Sequence, residues 1–421
     1  MKPGWACENT VAGRRYQSIA RVRAVQILRG LPAKLQGRVR ARCYRFTHSS
    51  RHALTVYPPL PDARPMPPRL IVVCRVTTVC NLACGFCAYD RRLPFARTTL
   101  HDAQIERLIE LMANWNARPG AKHGADNHAP RTSPRAPLLS WLGGEPLLWR
   151  DWARHSAQAR ARGLAVSATT NGSTLDSDAV RGQAVELLDE LTVSLDAVGA
   201  RHDQMRGCAG LYLRTLEAVR ALADARARSG SALRLRANVV LMRSTLDDFD
   251  ALARQLADAG VDEISYNLLG GRDRPAFYTL EAVPPIAFDR WLRRLPSLRR
   301  QLAQLGTSLI GGPDYELRLR AASRQQPWPV ADCLPGEQFL FVDEFGRIAP
   351  CAFTGSEYGV AIDDVVHLDQ LVAHFRQSRR AQCASACADC PSTQVFGKFS
   401  REKGVVDLGA EDAHIGIGES V

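Results

Sequence analysis

Six short apolar segments alternate with amphipathic helical patterns between residues 69 and 270, and this alternation constrains the fold more than any other feature. The first segment, RLIVVCRVTT (69–78), is a β-branched run suited to a strand buried on both faces. Helical patterns such as TLHDAQIERLIELMANW (99–115) follow. The other segments are PLLSWLGGEP, LAVSATTNGS, LDELTVSLDA, LRLRANVVLM and VDEISYNLLG. Strands separated by helices predict a parallel sheet, here an α/β fold built as a partial (β/α)6 TIM-like barrel.

The motifs that carry chemistry follow the ends of these segments. Three cysteines come after the first segment, GGEP ends the second, TNG ends the third, SLD ends the fourth, and Asn238 lies on the fifth. The carboxyl ends of parallel barrel strands meet on one face, and that face holds the active sites of TIM-type barrels. We therefore expect these motifs to lie close together.

The stretch VCNLACGFCAYD (79–90) places Cys80, Cys84 and Cys87 at positions i, i+4 and i+7. Three thiolates at this spacing can bind three irons of a cubane cluster and leave the fourth iron open to an exchangeable ligand. The alternative is a structural zinc site, which needs a fourth ligand nearby. Tyr89 and Asp90 are poor candidates for that ligand.

The pattern Cys80-x3-Cys84-x2-Cys87, with Phe86 before the last cysteine, resembles the signature of the radical S-adenosylmethionine (radical SAM) superfamily. The resemblance implies a [4Fe–4S] cluster whose open iron binds the amino and carboxylate groups of S-adenosylmethionine. It also implies that an electron from the reduced cluster cleaves the sulfonium C–S bond. The resulting 5′-deoxyadenosyl radical would abstract a hydrogen atom from the substrate.

The same resemblance assigns cofactor contacts to the other motifs. In the family, GGEP contacts the amino group of the bound methionine, and the aromatic residue, here Phe86, lines the adenine site. Ser194 matches a ribose-contacting position, Arg206 resembles an arginine that meets the cofactor carboxylate, and Asn238 lies where the fifth strand approaches the adenosyl group. The residues that match GGEP are Gly143, Gly144, Glu145 and Pro146.

Each of these residues also has a purely structural interpretation. Ser194 and Asn238 could cap or end their strands, and Arg206 could pair with Asp203. Cys208, two residues after Arg206, could deliver a hydrogen atom to a product radical, as a cysteine does in epimerase-type relatives, or could be an idle loop thiol.

A second cysteine group follows a predicted hairpin, FLFVDEFGRIAP, with its turn at 343–346. Cys333-x12-Gly346-x4-Cys351 and the later cysteines resemble the SPASM or twitch extension of the superfamily. A full SPASM domain needs seven cysteines and this region has five, so the resemblance implies one auxiliary [4Fe–4S] cluster. The implied ligands are Cys333, Cys351, Cys387 and Cys390. Cys383 is an alternative ligand or a spare, and a zinc site of Cys383, Cys387 and Cys390 is the other interpretation.

The charge of the chain is concentrated at its start. The net charge is +12, and residues 1–50 hold eleven Lys and Arg against Glu8. Such an arm can hold nucleic acid, an anionic membrane or an acidic peptide, or it can be a solvated helix. No RNA-binding signature with interleaved aromatics is present, and no apolar run is long enough for a membrane span. The chain has twelve cysteines, seven of them in or close to two clusters, and this pattern without a signal peptide indicates metal or redox chemistry in the cytoplasm.

These features predict an enzyme with a definite domain order. We expect maturation of a ribosomally made peptide or natural product, with a reductant such as flavodoxin or ferredoxin as partner. The alternatives are a twitch-type dehydrogenase acting on a small metabolite such as a sugar or aminocyclitol, and a non-catalytic Fe–S scaffold.

The expected parts of the chain are a basic extension and Pro-rich linker (1–68), the barrel (69–275), a helical connector (276–330), the auxiliary-cluster domain (331–400) and a tail (401–421).

Overall fold

The computed structural model describes residues 69–116, 136–271, 273–326 and 336–381. The chain divides into two units, Met1–Pro65 and Met66–Val421, and every described residue belongs to the second. The basic arm and nearly all of the Pro-rich linker lie outside the described residues, as do Cys333, Cys383, Cys387 and Cys390. None of the described helices is both long enough and apolar enough to cross a membrane.

In the part of the chain that the structure describes, ten strands, numbered in chain order, form one sheet in the order β10-β9-β8-β1-β2-β3-β4-β5-β6-β7. Pairing is parallel from β8 through β1 to β7 and antiparallel between β8, β9 and β10. The six predicted strands and the α/β class are confirmed. The strands are β1 Ile71–Thr77, β2 Leu138–Gly143, β3 Ala165–Thr170, β4 Glu190–Ser194, β5 Arg234–Leu241, β6 Glu263–Leu268, β7 Ser308–Leu309, β8 Phe339–Val342, β9 Arg347–Ala349 and β10 Val360–Ala361.

Helices connect the parallel strands, as the amphipathic patterns predict. The first, α1, buries Ile105, Leu108, Ile109 and Met112, which share the apolar face. The helices are α1 Asp102–Asn116, α2 Trp152–Ala161, α3 Asp178–Leu187, α4 Ala200–Arg206, α5 Leu211–Ser229, α6 Phe249–Asp258, α7 Pro275–Glu281, α8 Pro285–Gln304, α9 Pro313–Ser323, α10 Gly355–Tyr358 and α11 Asp369–Ala381.

Buried charges occupy the amino-terminal ends of the central strands. Arg236 donates to Glu263 at 2.6 Å and lies 3.1 Å from a carboxylate oxygen of Glu190. All three side chains are buried, and Arg69 and Arg234 also pair with these carboxylates, so the buried charges are compensated. Ionic side chains therefore occupy the amino-terminal ends of β4, β5 and β6, whereas the motifs that carry chemistry lie towards the carboxyl ends of the strands.

The predicted C-terminal hairpin is β8 and β9, with a turn built on Asp343. Its carboxylate accepts hydrogen bonds from the amides of Phe345 at 3.0 Å and Arg347 at 2.9 Å. Gly346 completes the turn in the left-handed region, with φ +76°, which glycine adopts without steric cost. The sequence did not predict that β8 pairs in parallel with β1. This pairing places the hairpin in the same sheet as the strand that leads to Cys80.

The sulfur of Cys74 on β1 provides a test of this pairing. Cys74 is completely buried, as its position on the strand predicts, and desolvation raises the pKa of its thiol far above the ordinary value. A buried neutral thiol does not react, because the thiolate is the nucleophile. In folded protein, iodoacetamide is expected to label the half-buried Cys208 and spare Cys74 until urea unfolds the chain. Mass spectrometry of the peptides measures both, and equal labelling of the two thiols in folded protein would contradict the pairing.

Candidate active site

The loop after β1 gathers three thiols in apolar surroundings. Cys84 packs with Leu82 and Leu211, and Cys80 and Cys87 contact this cluster from its edge. Burial raises the pKa of all three thiols, that of Cys84 to about 12, and the Cys87 sulfur adds to the upward shifts of the Cys80 and Cys84 pKa values. Three thiols held together away from water become stable thiolates when cations bind them.

The donor set of this loop can be compared with the two predicted kinds of metal site. Within the described residues, no three His, Cys, Asp or Glu side chains lie close enough to hold one metal ion. A cubane with one open iron takes three thiolates, whereas a zinc ion needs a fourth ligand. The assignment of Cys80, Cys84 and Cys87 to a cubane stays a prediction.

Arginine side chains hold the loop in shape. The Arg97 guanidinium donates to the carbonyls of Thr78 at 3.0 Å, Tyr89 at 3.2 Å and Asp90 at 2.7 Å. The buried Asp90 carboxylate accepts from Arg92 and lies 3.3 Å from Arg274, and these hydrogen bonds hold its pKa well below the usual range. The Asp90 carboxylate therefore stabilises the conformation of the cysteine loop.

The first two residues of GGEP lie against the backbone of this loop. The amide of Gly144 donates to the carbonyl of Thr77, and the amide of Glu145 donates to that of Val79, both at 2.8 Å. A Cβ at Gly143 would lie 2.2 Å from the Thr77 oxygen, and one at Gly144 would lie 2.2 Å from the Val79 oxygen. Gly143 also has φ +156°. Both glycines are therefore required for close approach between the GGEP segment and the cysteine loop.

The Glu145 carboxylate is completely buried and ties the ends of β2 and β3 together. It accepts hydrogen bonds from the amide of Leu147 at 3.0 Å, the hydroxyl of Thr170 at 2.8 Å and the amide of Asn171 at 2.6 Å. Burial raises its pKa to about 7. Pro146 begins a short 3₁₀ turn after it. The family contact with the methionine amino group stays a prediction, and three of the acceptor positions of this carboxylate already have protein donors.

Asn171 is a site residue that the sequence reasoning did not assign. Its side-chain amide donates to the Cys80 sulfur at 3.7 Å and to the Asn81 side chain at 3.1 Å, and its oxygen accepts from the amide of Ser173. The TNG motif at the end of β3 was visible in the sequence. Its contact with a thiol 91 positions away was not.

Arg206 lies beside the thiols in a buried ion pair with Asp196. Its guanidinium donates to one Asp196 oxygen through two nitrogens, at 2.8 and 2.5 Å, and the other oxygen accepts from the amide of Val240 at 3.0 Å. The guanidinium also lies 5.3 Å from the centre of the Phe86 ring. The possible pair with Asp203 is wrong, because that carboxylate accepts from two amides at the start of α5.

Ser194 and Asn238 face each other in register across β4 and β5. Both are half-buried, and the Asn238 side chain accepts from the hydroxyl of Ser265 on β6 at 3.1 Å. The three residues occupy paired positions on neighbouring strands, at the end of β4 and in the middle of β5 and β6. Cys208 contacts the apolar cluster around Cys84, and its sulfur accepts from Arg214 at 3.5 Å. The cofactor contacts and the hydrogen-donor role expected of these residues stay predictions.

His202 on α4 makes the folded state sensitive to acid. Its Nδ1 accepts from the Asp196 amide, and burial together with the Arg206 charge lowers its pKa from 6.5 to about 4. Below pH 6.5 the imidazole is protonated in the unfolded chain, but in the folded chain it stays neutral until about pH 4. The free energy of unfolding therefore decreases as the pH falls from 6.5 to about 4. We expect His202→Asn to remove about 2 kcal/mol of the loss between pH 7.5 and pH 5. Urea unfolding at both pH values measures this, and an unchanged pH slope would refute it.

Comparison with known proteins agrees with this geometry. Residues 74–233 match the family model of the Radical SAM superfamily. The chain is 25% identical over 348 residues to a PqqA peptide cyclase of Xanthomonas euvesicatoria pv. vesicatoria, covering 78% of this chain and 82% of that protein. It is 24% identical over 303 residues to an AdoMet-dependent heme synthase of Methanosarcina barkeri, covering 68% and 77%. A match to an Fe-coproporphyrin III synthase of the same archaeon spans about a third of that protein, 31%.

Solved structures share the fold. SuiB of Streptococcus suis bound to S-adenosylmethionine superposes with a TM-score of 0.54 at 14% identity, covering 77% of this chain and 72% of that one. Native anSMEcpe with bound AdoMet gives 0.52 at 14% identity, covering 78% and 89%. Both support the α/β assignment with a mostly parallel sheet.

Proposed function

We propose that this chain is a radical SAM enzyme that matures a ribosomally made peptide or related natural product. The observation that carries the proposal is the meeting of the cysteine loop, GGEP, Asn171 and Arg206 at one edge of the parallel sheet. When bound, a [4Fe–4S] cluster and S-adenosylmethionine supply reductive cleavage to a 5′-deoxyadenosyl radical, which abstracts a substrate hydrogen.

The chain's own residues have distinct roles in this proposal. Cys80, Cys84 and Cys87 hold the cluster, and the Asn171 amide donates to one of their sulfurs. A hydrogen bond to a ligating sulfur tunes the reduction potential of a cluster. Glu145 positions the ends of β2 and β3, so that the backbone of GGEP borders the cofactor site. Arg206 sets a fixed positive charge beside Cys84.

The peptide substrate is proposed from the relatives. The peptide cyclase is aligned over more of its own length than the heme synthase is, 82% against 77%, and SuiB has also been solved with its precursor peptide SuiA, with a TM-score of 0.52. The basic arm of residues 1–50 would then dock an acidic leader segment. The heme synthase match favours a second candidate, oxidation or rearrangement of a small metabolite such as a tetrapyrrole.

We also propose one auxiliary [4Fe–4S] cluster. Cys351 lies two residues after the end of β9, and its sulfur is 3.3 Å from the Thr354 hydroxyl. Cys333, Cys387 and Cys390 complete the proposed set, with Cys383 as the alternative ligand. Because β8 and β9 extend the barrel sheet beside β1, the same sheet supports Cys351 and the cysteine loop.

The test is anaerobic. Protein reconstituted with iron and sulfide receives dithionite and S-adenosylmethionine, and mass spectrometry quantifies 5′-deoxyadenosine. We expect wild type to form it and the Cys80→Ala/Cys84→Ala/Cys87→Ala variant to form none while retaining about four irons, those of the auxiliary cluster. Wild type carrying its full iron but forming no deoxyadenosine, with or without candidate substrates, would refute the proposal. Loss of all iron from the variant would refute the auxiliary cluster alone.

A further inference from the structure

Each of the strands β1 to β6 has a half-buried residue that faces the interior of the barrel. Paired positions on neighbouring parallel strands share a face of the sheet, so these residues lie on the same face as the buried interior charges Glu190 and Arg236. On every one of these strands, the interior residue two positions earlier is buried. The half-buried residues therefore form the floor of a cleft at the mouth of the barrel. They are Arg75, Leu142, Thr169, Ser194, Asn238 and Asn267.

Two of these floor residues, Arg75 on β1 and Asn267 on β6, have no role in the function proposed above. Ser194 and Asn238, by contrast, are expected to contact the cofactor. The Asn267 side-chain nitrogen donates to the carbonyl of Leu268 at 3.3 Å, and its side-chain oxygen has no hydrogen-bond donor among the described residues. This oxygen is therefore able to accept a hydrogen bond from a ligand in the cleft.

The Arg75 guanidinium is held in place from three sides. It donates to a carboxylate oxygen of Glu344 at 2.8 Å, and its central carbon lies 4.8 Å from the centre of the Phe341 ring and 5.3 Å from that of the Tyr89 ring. A guanidinium has five N–H groups, and within the described part of the chain only the bond to Glu344 uses one of them. The remaining N–H groups can donate to a ligand, and the two rings and the carboxylate hold them in a fixed orientation.

The charges described around Tyr89 disfavour an anionic ligand. Burial raises the pKa of Tyr89, the negative charges of Glu344 and Asp273 add to this shift, and the Arg75 charge opposes it. Glu344 already compensates Arg75, and Asp273 adds a second negative charge near the same ring. A ligand carboxylate would therefore meet two carboxylates and a cation that is already paired. A neutral amide can accept from Arg75 without that repulsion.

We propose that Arg75 and Asn267 bind the peptide substrate through neutral amide groups, those of its main chain or of an Asn or Gln side chain, and that Glu344 sets this preference. The inference rests on the proposed function and names which groups of the substrate enter its site. Arg75 donates to an amide oxygen, and the Asn267 oxygen accepts from an amide N–H. By compensating Arg75, Glu344 discriminates against substrates whose polar groups are carboxylates, and biological tetrapyrroles, which carry several carboxylates, are of that kind.

The test uses the full chain, reconstituted with iron and sulfide and supplied with S-adenosylmethionine. An mRNA-displayed library of random short peptides is selected on it, with excess polyglutamate present to occupy the basic arm. Fluorescence polarisation then measures binding of the selected peptide and of its Asp scan, in which neutral residues are replaced one at a time. We expect Arg75→Met and Asn267→Leu to bind the selected peptide about tenfold more weakly than wild type does. Arg154→Met, which changes a remote exposed arginine on α2, should bind it unchanged.

Glu344→Gln tests the preference through a gain of affinity, which a misfolded variant cannot produce. With a neutral residue at this position the Arg75 charge is uncompensated. At least one Asp-substituted peptide should therefore bind this variant about tenfold more tightly than it binds wild type. Coproporphyrin III, a tetracarboxylate, should also bind this variant more tightly than it binds wild type.

The proposal is overturned if no peptide binds wild type, or if Arg75→Met and Asn267→Leu bind the selected peptide as tightly as wild type does. It is also overturned if Glu344→Gln gains no affinity for any Asp-substituted peptide. Tighter binding of coproporphyrin III than of the selected peptide to wild type, lost in Arg75→Met, would overturn it as well, because the cleft then takes a carboxylate ligand. Dithionite-driven deoxyadenosine formation in the same preparation decides the proposed function separately from these binding constants.

Discussion

Gly144→Ala is expected to reduce 5′-deoxyadenosine formation by about two orders of magnitude, because the new methyl group has no room. Its Cβ would lie 2.2 Å from the Val79 oxygen and 3.0 Å from the Cys80 Cβ. The obstructing atoms are mainly backbone, so the GGEP segment and the cysteine loop must separate. Displacements of about 1 Å in a catalytic arrangement can cost about 100-fold. Overpacking is also expected to lower the free energy of unfolding by about 1–3 kcal/mol.

A second glycine provides the matched control. Gly182 lies in the exposed face of α3, and a Cβ there meets no atom within 4 Å. Gly182→Ala should raise the free energy of unfolding by about 0.5–1 kcal/mol and leave turnover unchanged. Iron content, urea unfolding and deoxyadenosine formation are measured for both variants. If Gly144→Ala retains wild-type turnover, the close approach of the two segments has no role in the chemistry.

The parts of the fold that could be predicted are those with a local cause. The segment that became β1 has five β-branched residues among its seven, and the helix that became α1 has an apolar stripe. Each of these sequence patterns lies within a single strand or helix. The pairing of β8 with β1 joins segments about 270 positions apart. A short apolar strand such as β8 could pair in many registers. No periodicity in either segment specifies that partner.

The site residues likewise divide into those with local causes, which the sequence predicts, and those with long-range causes, which it does not. The spacing of Cys80, Cys84 and Cys87 is local, and it predicted the thiol cluster that the structure brings together. The partner of Arg206 is not local. Asp203 lies three positions away on the same helix and was the obvious candidate, but its carboxylate accepts from the amides that begin α5. Asp196 lies ten positions away, just after the end of β4. It is the partner because β4 places it next to the buried Arg206 side chain.

Removal of either member of the Arg206–Asp196 pair is expected to lower the free energy of unfolding by about 3–5 kcal/mol. Both side chains are buried, so each single variant leaves the other charge without compensation in a region of low polarity. Asp196→Asn, Arg206→Met and the double variant form a thermodynamic cycle, measured by urea unfolding. The double variant should lose less than the sum of the two single losses, since no uncompensated charge remains.

An exposed pair provides the control for this cycle. Arg154 and Asp102 lie 2.5 Å apart with about half of each side chain exposed, and water screens such a pair. Removing the two members singly and together should give nearly additive losses in the free energy of unfolding. Strictly additive losses for Arg206 and Asp196 would contradict a coupled buried pair. Arg206→Lys separates charge from geometry: it keeps the cation but loses the two-nitrogen contact with Asp196. A Lys variant that restores stability without restoring deoxyadenosine formation would therefore mean that the chemistry depends on the position of the guanidinium, and not merely on its charge.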